Sequence, residues 1–333
     1  MKRIAILCPG RGSYTDKTLR SLPDSHPWID RAEALRRERN LQSLVELDRA
    51  AKFDSKVHLL PENVSPLIYL ISMLDAAARM QEDKCVAVAG NSMGWYTALA
   101  VGGAISFDDG FRLVQEMSIL QKDHQAEFGG GQIIYPVIDD AWRPDAERAR
   151  HVDDALTSSN GTAFRSIDLG GYVVLAGNEA GIAHLLAALP KVKIGATMYP
   201  FRLMQHGAYH TPLVENVSLR AQETLGSLSF ARPKVTLVDG RGARFTPWSS
   251  DVDALREYTL GAQVTTTYDF ALSIRVALRE YAPDHLVCPG PGNSLGGVCG
   301  QVVVREGWRG VKSKEDFQRV QDSDSPILVS MRR

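Results

Sequence analysis

The chain has 333 residues, 44% hydrophobic and 23% charged, which is the usage of a folded globular protein and excludes a disordered or fibrous one. Lys and Arg number 38 against 39 Asp and Glu, and a formal charge of -1 leaves no electrostatic footprint for nucleic acid or an anionic membrane. The length suits two domains, or one large α/β domain with an insertion, and no apolar run reaches the roughly 20 residues that span a bilayer.

In chain order, Ile4 to Cys8 is a short apolar run ending at Pro9-Gly10, as expected of a buried strand feeding a loop. The run is shorter than the roughly 7–15 residues of a secretory leader's apolar core, so it reads as a first strand of a cytoplasmic protein. Polar sequence with helical character follows around Arg31 to Asp48. Pro61 to Ala78 is a helix, because Pro66, Ile68, Leu70, Ile71, Leu74 and Ala77 recur at near-helical spacing. Lys84 to Ala89 is a second buried strand, Gly90 to Ala104 a turn and a small-residue helix, and Phe107 to about Gln125 a charged helix.

Between 129 and 205 the texture changes. Strand-like Gln132 to Ile138, helical Asp145 to Leu156, strand-like Tyr172 to Ala176, helical Gly181 to Leu189 and extended Ile194 to Leu203 predict a small split-βαβ insertion. Residues 1–128 and 206–333 then form the larger domain, an α/β unit with a parallel sheet. Its second half carries a helix from Pro212 to Leu225, a strand at Val235 to Val238, a helix from Tyr268 to Tyr281 and a strand at His285 to Cys288. The residues beyond about Lys312 read as a surface tail. Cys8, Cys85, Cys288 and Cys299 show no paired-cysteine spacing and are expected to be reduced core thiols, with no metal role.

The strongest local signal is Gly90-Asn91-Ser92-Met93-Gly94, a G-x-S-x-G match between a strand and a helix. Flanking glycines permit the sharp turn that lifts a serine hydroxyl clear of a sheet edge, and the following helix aims its N-terminal amides at an oxyanion formed there. Such a serine needs a base. His210, on a small-residue loop before Pro212, is the leading candidate, and His206 its rival; His124 and His151 lie in charged helical stretches that read as solvated.

These residues resemble the malonyl-CoA:acyl-carrier-protein transacylases and the related acyltransferase domains of polyketide synthases. Pro9-Gly10-Arg11-Gly12-Ser13 is similar to the family's PGQGS loop, and Gly90 to Ala104 to its GHSxGExxAL…GA elbow and helix. Tyr209-His210-Thr211-Pro212-Leu213 is similar to its FHTPLM segment, and Gly290-Pro291-Gly292 to its late GPG turn. The resemblance implies a hydrolase-like α/β core with a ferredoxin-like α+β insertion. It also implies a ping-pong transfer with no permanently bound cofactor, in which the acyl group of a coenzyme A thioester rests on Ser92 and passes to the phosphopantetheine thiol of an acyl carrier protein. His210 is then the proton shuttle, the backbone amides of Arg11 and Met93 the oxyanion hole, and the main-chain carbonyl of Gln263 the group that orients the histidine.

Departures from the family bear on the acyl group. Its malonyl-selective members carry an arginine that grips the free carboxylate, and alignment puts Met117 there. Met cannot pair a carboxylate, so an uncharged acyl group such as acetyl or a longer chain is expected. Arg11, in place of a glutamine, and Arg112, a turn and a half from Met117, are alternative sources of positive charge. Asn91 for histidine, Trp95 for glutamate, Ser65 for glutamine and the Ser166 to Gly170 segment point to a rebuilt pocket, with Tyr209 beside it. A hydrolase on the same scaffold, clearing acyl groups with water, is the alternative activity, and a non-catalytic binding subunit a third reading.

Overall fold

The structure is a computed structural model that describes residues 1–332. Its larger sheet has six strands in the order Arg244–Phe245, Leu237–Val238, Lys84–Gly90, Arg3–Cys8, His285–Cys288 and Leu328–Ser330. All neighbours are parallel except the first pair. The central strand Arg3–Cys8 is buried from Ile4 onward, which is why it reads as an unbroken apolar run rather than an alternating one. It pairs with Lys84–Gly90, shifting register once between Ile4 and Ala5, with Cys8 opposite Gly90. The loop that begins at Pro9 and the turn that begins at Asn91 therefore leave the same sheet edge side by side, where ligands bind in open α/β sheets.

The smaller sheet has five strands: Tyr268–Asp269, Ala163–Asp168, Tyr172–Gly177, Gly131–Pro136 and Phe201–Arg202. Numbered within the insertion, the last four lie in the order 2-3-1-4, all antiparallel, with helices Ala146–Ser158 and Glu179–Ala188 completing a βαββαβ unit. That unit buries its own cluster, including Ile133, Tyr135, Val152, Val173, Leu175 and Leu185.

Three expectations need correction. The helix expected from Tyr268 starts at Phe270, because the Asp269 side chain caps it by accepting the Leu272 N–H. Tyr268–Asp269 instead pairs in parallel with Ile167–Asp168 and stitches the two sheets together. The extended run from Ile194 contains a separate hairpin, Val192–Ile194 against Thr197–Tyr199.

The third correction concerns the C-terminal stretch, which is not a surface tail. Lys314–Gln321 is a helix and Leu328–Ser330 the edge strand of the larger sheet. Apolar Ile327 and Leu328 are buried, and Arg332 ends the segment on Asp75 with Nη2 to Oδ1 at 2.8 Å. Asp75 Oδ2 also accepts the Gly290 N–H at 2.8 Å, so one carboxylate ties the C-terminus to the GPG turn. Asp75→Ala leaves a guanidinium and an amide without their partner and is expected to cost about 2–4 kcal/mol in a denaturant titration; a change below about 0.5 kcal/mol would show the tie to be idle.

The four cysteines are free, with Cys8, Cys288 and Cys299 buried and Cys85 half-buried. No helix among the described residues is long and apolar enough to cross a membrane.

Candidate active site

Ser92 sits between strand Lys84–Gly90 and helix Gly94–Val101 with φ +55, a left-handed backbone that a non-glycine residue adopts only when its surroundings enforce it. The enforcement is close packing. A Cβ on Gly90 would fall 2.0 Å from the Gly94 carbonyl oxygen, and one on Gly94 would fall 2.3 Å from that of Cys8. Only glycine fits either place, which explains physically why the motif brackets its serine with two of them.

His210 also has a positive φ, +60, and is 1% exposed. Its Nε2 lies 2.8 Å from Ser92 Oγ. Its Nδ1 lies 2.6 Å from the Gln263 carbonyl, and its own N–H donates to the Val264 carbonyl at 2.8 Å. A carbonyl can only accept, so Nδ1 carries the proton and Nε2 presents a lone pair to the serine hydroxyl. Helix Ala262–Thr265 thus holds the ring by one main-chain carbonyl and the residue's backbone by the next. The Gln263 side chain completes the clamp, donating from Nε2 to the Ser92 carbonyl at 3.1 Å and accepting from Tyr96 OH at 2.8 Å.

Burial and the nearby Arg11 cation lower the His210 pKa to about 4, against the pull of its bond to Gln263. Desolvation, then the same cation, takes His206 to about 3. Both imidazoles are therefore neutral at pH 7, and His210 is in the state a base requires. Two outcomes follow. Rate should stay level on the acid side down to about pH 5 and fall only as His210 protonates near 4, measured as initial turnover against pH. Stability works in the same direction: the unfolded histidines take up protons below about 6.5 while the folded ones resist, so the fold loses stability from about pH 6.5 down to about 4 through His210 and to about 3 through His206. A limb falling near pH 6.5 would contradict the buried, neutral ring.

The Arg11 and Met93 N–H groups donate to no protein acceptor among the described residues, and both flank Ser92 across the paired strand ends. The Arg11 side chain turns away to other partners. Its Nη1 donates to the Gln205 carbonyl at 2.8 Å, and with the Gln121 amide turned so that its oxygen faces the surrounding donors, that oxygen lies 3.3 Å from Nη1. Burial lowers its pKa to about 10, which leaves it a cation at neutral pH.

These groups surround a cavity of about 180 Å³. Asn91, Ser65 and Tyr209 line it as expected, and so does Met117, which is 3% exposed. Apolar Ile134, Ile167, Leu169, Val174, Leu203 and Val298 build much of the remaining wall. Arg112 does not reach it; the side chain is on the outer face of its helix, 3.7 Å from Glu38. Trp95 is not a pocket residue either. It is fully buried in the core, its Nε1–H donating to Thr259 at 3.0 Å and its ring edge-on to Tyr258. His206 lines the cavity but bonds Met204 rather than Ser92. His124 is buried, not solvated, whereas His151 is half-exposed beside Glu147.

Sequence reasoning missed several contributors. Tyr268 OH donates to the Gly90 carbonyl at 2.6 Å and its ring lies 5.4 Å from that of His210. Gln132 Nε2 donates to Ser166 Oγ at 2.8 Å, and Ser166 in turn to the Tyr209 carbonyl at 2.8 Å, which anchors the residue before His210 to the smaller sheet. Ser166 lies in a segment the sequence marks, but nothing local marks Tyr268 or Gln132, because their roles depend on pairing between segments far apart in sequence. No group of acidic, histidine or cysteine side chains among the described residues is arranged to hold a metal.

No protein-family model matches the chain. Curated relatives do. The Escherichia coli K12 malonyl CoA-acyl carrier protein transacylase is 23% identical over 310 residues, 91% of this chain and 94% of that protein. The Bacillus subtilis enzyme of the same name is 23% identical over 312 residues, 92% of each. A non-reducing polyketide synthase of Penicillium brevicompactum is 26% identical over 150 residues, 45% of this chain. Among solved structures, the Synechocystis malonyl-CoA:ACP transacylase superposes with a TM-score of 0.75 at 22% identity, over 99% of this chain and 97% of that one. A type II polyketide malonyl-transacylase in complex with its acyl-carrier protein gives 0.75 at 18% identity, over 91% and 93%. The likeness to malonyl-CoA:ACP transacylases thus runs nearly end to end, and the fold is theirs.

Proposed function

We propose that the chain is an acyl-carrier-protein S-acyltransferase of the malonyl-CoA:ACP transacylase type. The observation that carries this reading is the 2.8 Å contact between Ser92 Oγ and a His210 whose other nitrogen is fixed on the Gln263 carbonyl. In the first half-reaction Ser92 Oγ attacks the thioester carbonyl of an acyl-CoA while His210 Nε2 takes the hydroxyl proton. The tetrahedral oxyanion is met by the Arg11 and Met93 amides. Collapse breaks the C–S bond, His210 returns the proton to the thiolate, and coenzyme A leaves an acyl-Ser92 ester. In the second half the phosphopantetheine thiol of an acyl carrier protein gives its proton to His210 and attacks the ester. Collapse breaks the C–O bond to Ser92, His210 returns the proton to Ser92 Oγ, and the acyl group leaves as a carrier-protein thioester. The family resemblance and the carrier-bound relative support this choice of partners.

The acyl group is uncharged. Met117 lines the pocket with no charge to offer, and the one guanidinium among the pocket residues is engaged by Gln205 and Gln121. Intact-protein mass spectrometry after mixing with acetyl-, longer acyl- and malonyl-CoA tests the reading. A mass increment on Ser92 that disappears when holo carrier protein is added supports transfer. Steady release of free acid, indifferent to carrier protein, would assign the site to hydrolysis instead.

A further inference from the structure

The two amides assigned to the oxyanion hole are held in different ways. Met93 lies in the elbow, where the Gly94 N–H donates to the Asn91 carbonyl at 2.8 Å and the Met93 carbonyl accepts the Tyr96 N–H at 3.0 Å. The start of helix Gly94–Val101 therefore sets the direction of its amide. Arg11 has no such support. Among the described residues, neither Arg11 nor Gly12 makes a main-chain hydrogen bond. Gly12 is exposed at φ +97, and a Cβ there would touch nothing within 4 Å. Ser13 Oγ donates to the Gly10 carbonyl at 3.2 Å, which closes the turn around the Arg11 peptide without touching it.

What grips this stretch is the Arg11 side chain. Among the described residues its Nη1 alone donates to the Gln205 carbonyl, at 2.8 Å. The Gln121 amide oxygen, in the orientation that faces these donors, takes both the guanidinium and the Gly207 N–H, the latter at 3.3 Å. One turn along the same helix, Gln125 Nε2 donates to the His206 carbonyl at 3.2 Å. Three segments far apart in sequence thus meet at one guanidinium. They are the first loop, helix Phe107–Phe128, and the linker 203–208 that runs from edge strand Phe201–Arg202 toward His210. The linker leaves the smaller sheet at Leu203, whose N–H donates to the Gln132 carbonyl at 2.8 Å, and bends at Gln205 with φ +57.

We infer that the Arg11 side chain is a positioning group for its own amide. By holding the linker and Gln121 it keeps the first loop against Ser92, so the oxyanion hole is complete only while the linker from the smaller sheet is docked. The inference rests on the transfer reading above for the oxyanion itself. Its physical basis is that an amide stabilises developing charge only if it is already oriented when the charge appears. A loop free to turn would lose that stabilisation to reordering. Arginine suits the task, because its planar fork can meet two acceptors at once where a lysine presents a single point charge.

Arg11→Met keeps an unbranched side chain without fork or charge, and rapid-mixing acylation of Ser92 by acetyl-CoA tests it. The maximal rate is expected to fall roughly 10- to 100-fold, as for a donor loosened rather than deleted, with KM within about threefold. Arg11→Lys should recover part of the loss. Gln121→Met breaks the same tie but leaves the cation, and should lower the rate roughly 10-fold. The pH profile separates the two variants. Burial, the larger cause, remains in both, but losing the cation lets the acid limb set by His210 rise from about 4, whereas Gln121→Met leaves it in place. Hydrogen exchange of 204–208 should quicken in both. Unaltered exchange in that run, an unaltered maximal rate, or a loss confined to KM would overturn the inference, the last because it makes Arg11 a substrate contact. Absence of an adduct from any acyl-CoA on the unmodified protein would instead sink the transfer, while quickened exchange would still show the tie.

Discussion

Ser92→Ala is expected to abolish the covalent acyl adduct and to lower turnover by at least about 10⁴-fold. The size follows from how few groups share the work. A serine hydroxyl is a weak nucleophile until a base takes its proton, and His210 Nε2 at 2.8 Å is placed to do so. What survives in the variant is the cavity and the two free amides, which still polarise a bound thioester but offer nothing to attack it. His210→Ala should fall by a similar factor, and the double variant should be no slower than either single one, because the pair acts as a unit. Folding is a separate matter that circular dichroism resolves: Ser92 is held at φ +55, and alanine there keeps the same strain, so the variant should melt near the unmodified protein. An adduct that persists in Ser92→Ala, on whatever residue, would remove the proposed nucleophile.

Much of this site is legible in the residues themselves, and the reasons are local. Gly90 and Gly94 flank Ser92 because backbone passes where any Cβ would clash, so a steric requirement is written directly into the chain. The buried runs Ile4–Cys8 and Ala87–Ala89 are likewise visible because strands covered on both faces need apolar residues throughout. Other features are not written locally. Leu328–Ser330 is a short segment after charged sequence, and only its pairing with His285–Cys288 makes it a strand. Tyr268–Asp269 looks like the start of a helix until Asp269 is seen to cap it and Ile167–Asp168 to pair with it. Trp95 occupies a motif position one residue from the elbow, yet its side chain turns into the core toward Thr259 and Tyr258. Position in a motif fixes the backbone, whereas the direction a side chain takes depends on the helix face it falls on. Met117 and Arg112 show the same dependence. Five residues apart on one helix, they lie on different faces, one in the cavity wall and the other exposed beside Glu38.

That difference of face underlies the second large effect. Met117→Arg is expected to raise the ratio of malonyl to acetyl loading by about 100-fold, which corresponds to about 2.7 kcal/mol of differential binding. In the unmodified pocket Met117 offers a malonyl carboxylate no charge, and the polar residues that share the cavity, such as Ser118 and Gln132, are neutral, so its lost water is only partly replaced. The Arg11 guanidinium does not repair this: Gln205 and Gln121 hold it, and turning it to the substrate would forfeit those bonds. An arginine at 117 reaches into the cavity from the wall, and its fork can meet both carboxylate oxygens at once. The gain is confined to the charged substrate. For acetyl the same change only replaces an apolar neighbour by a cation, so acetyl loading should fall by a few-fold. Burying the new charge without substrate should also destabilise the fold by about 1–3 kcal/mol, and bound malonate should partly restore it by linkage. Met117→Leu is the matched control, with volume altered little and charge not at all, and should keep the original preference. Competition between equimolar malonyl- and acetyl-CoA for Ser92, read by mass, measures all three proteins in one format. Unmodified protein that takes malonyl first would place the carboxylate on Arg11 instead. In that case Arg11→Gln, rather than any change at 117, should reverse the order.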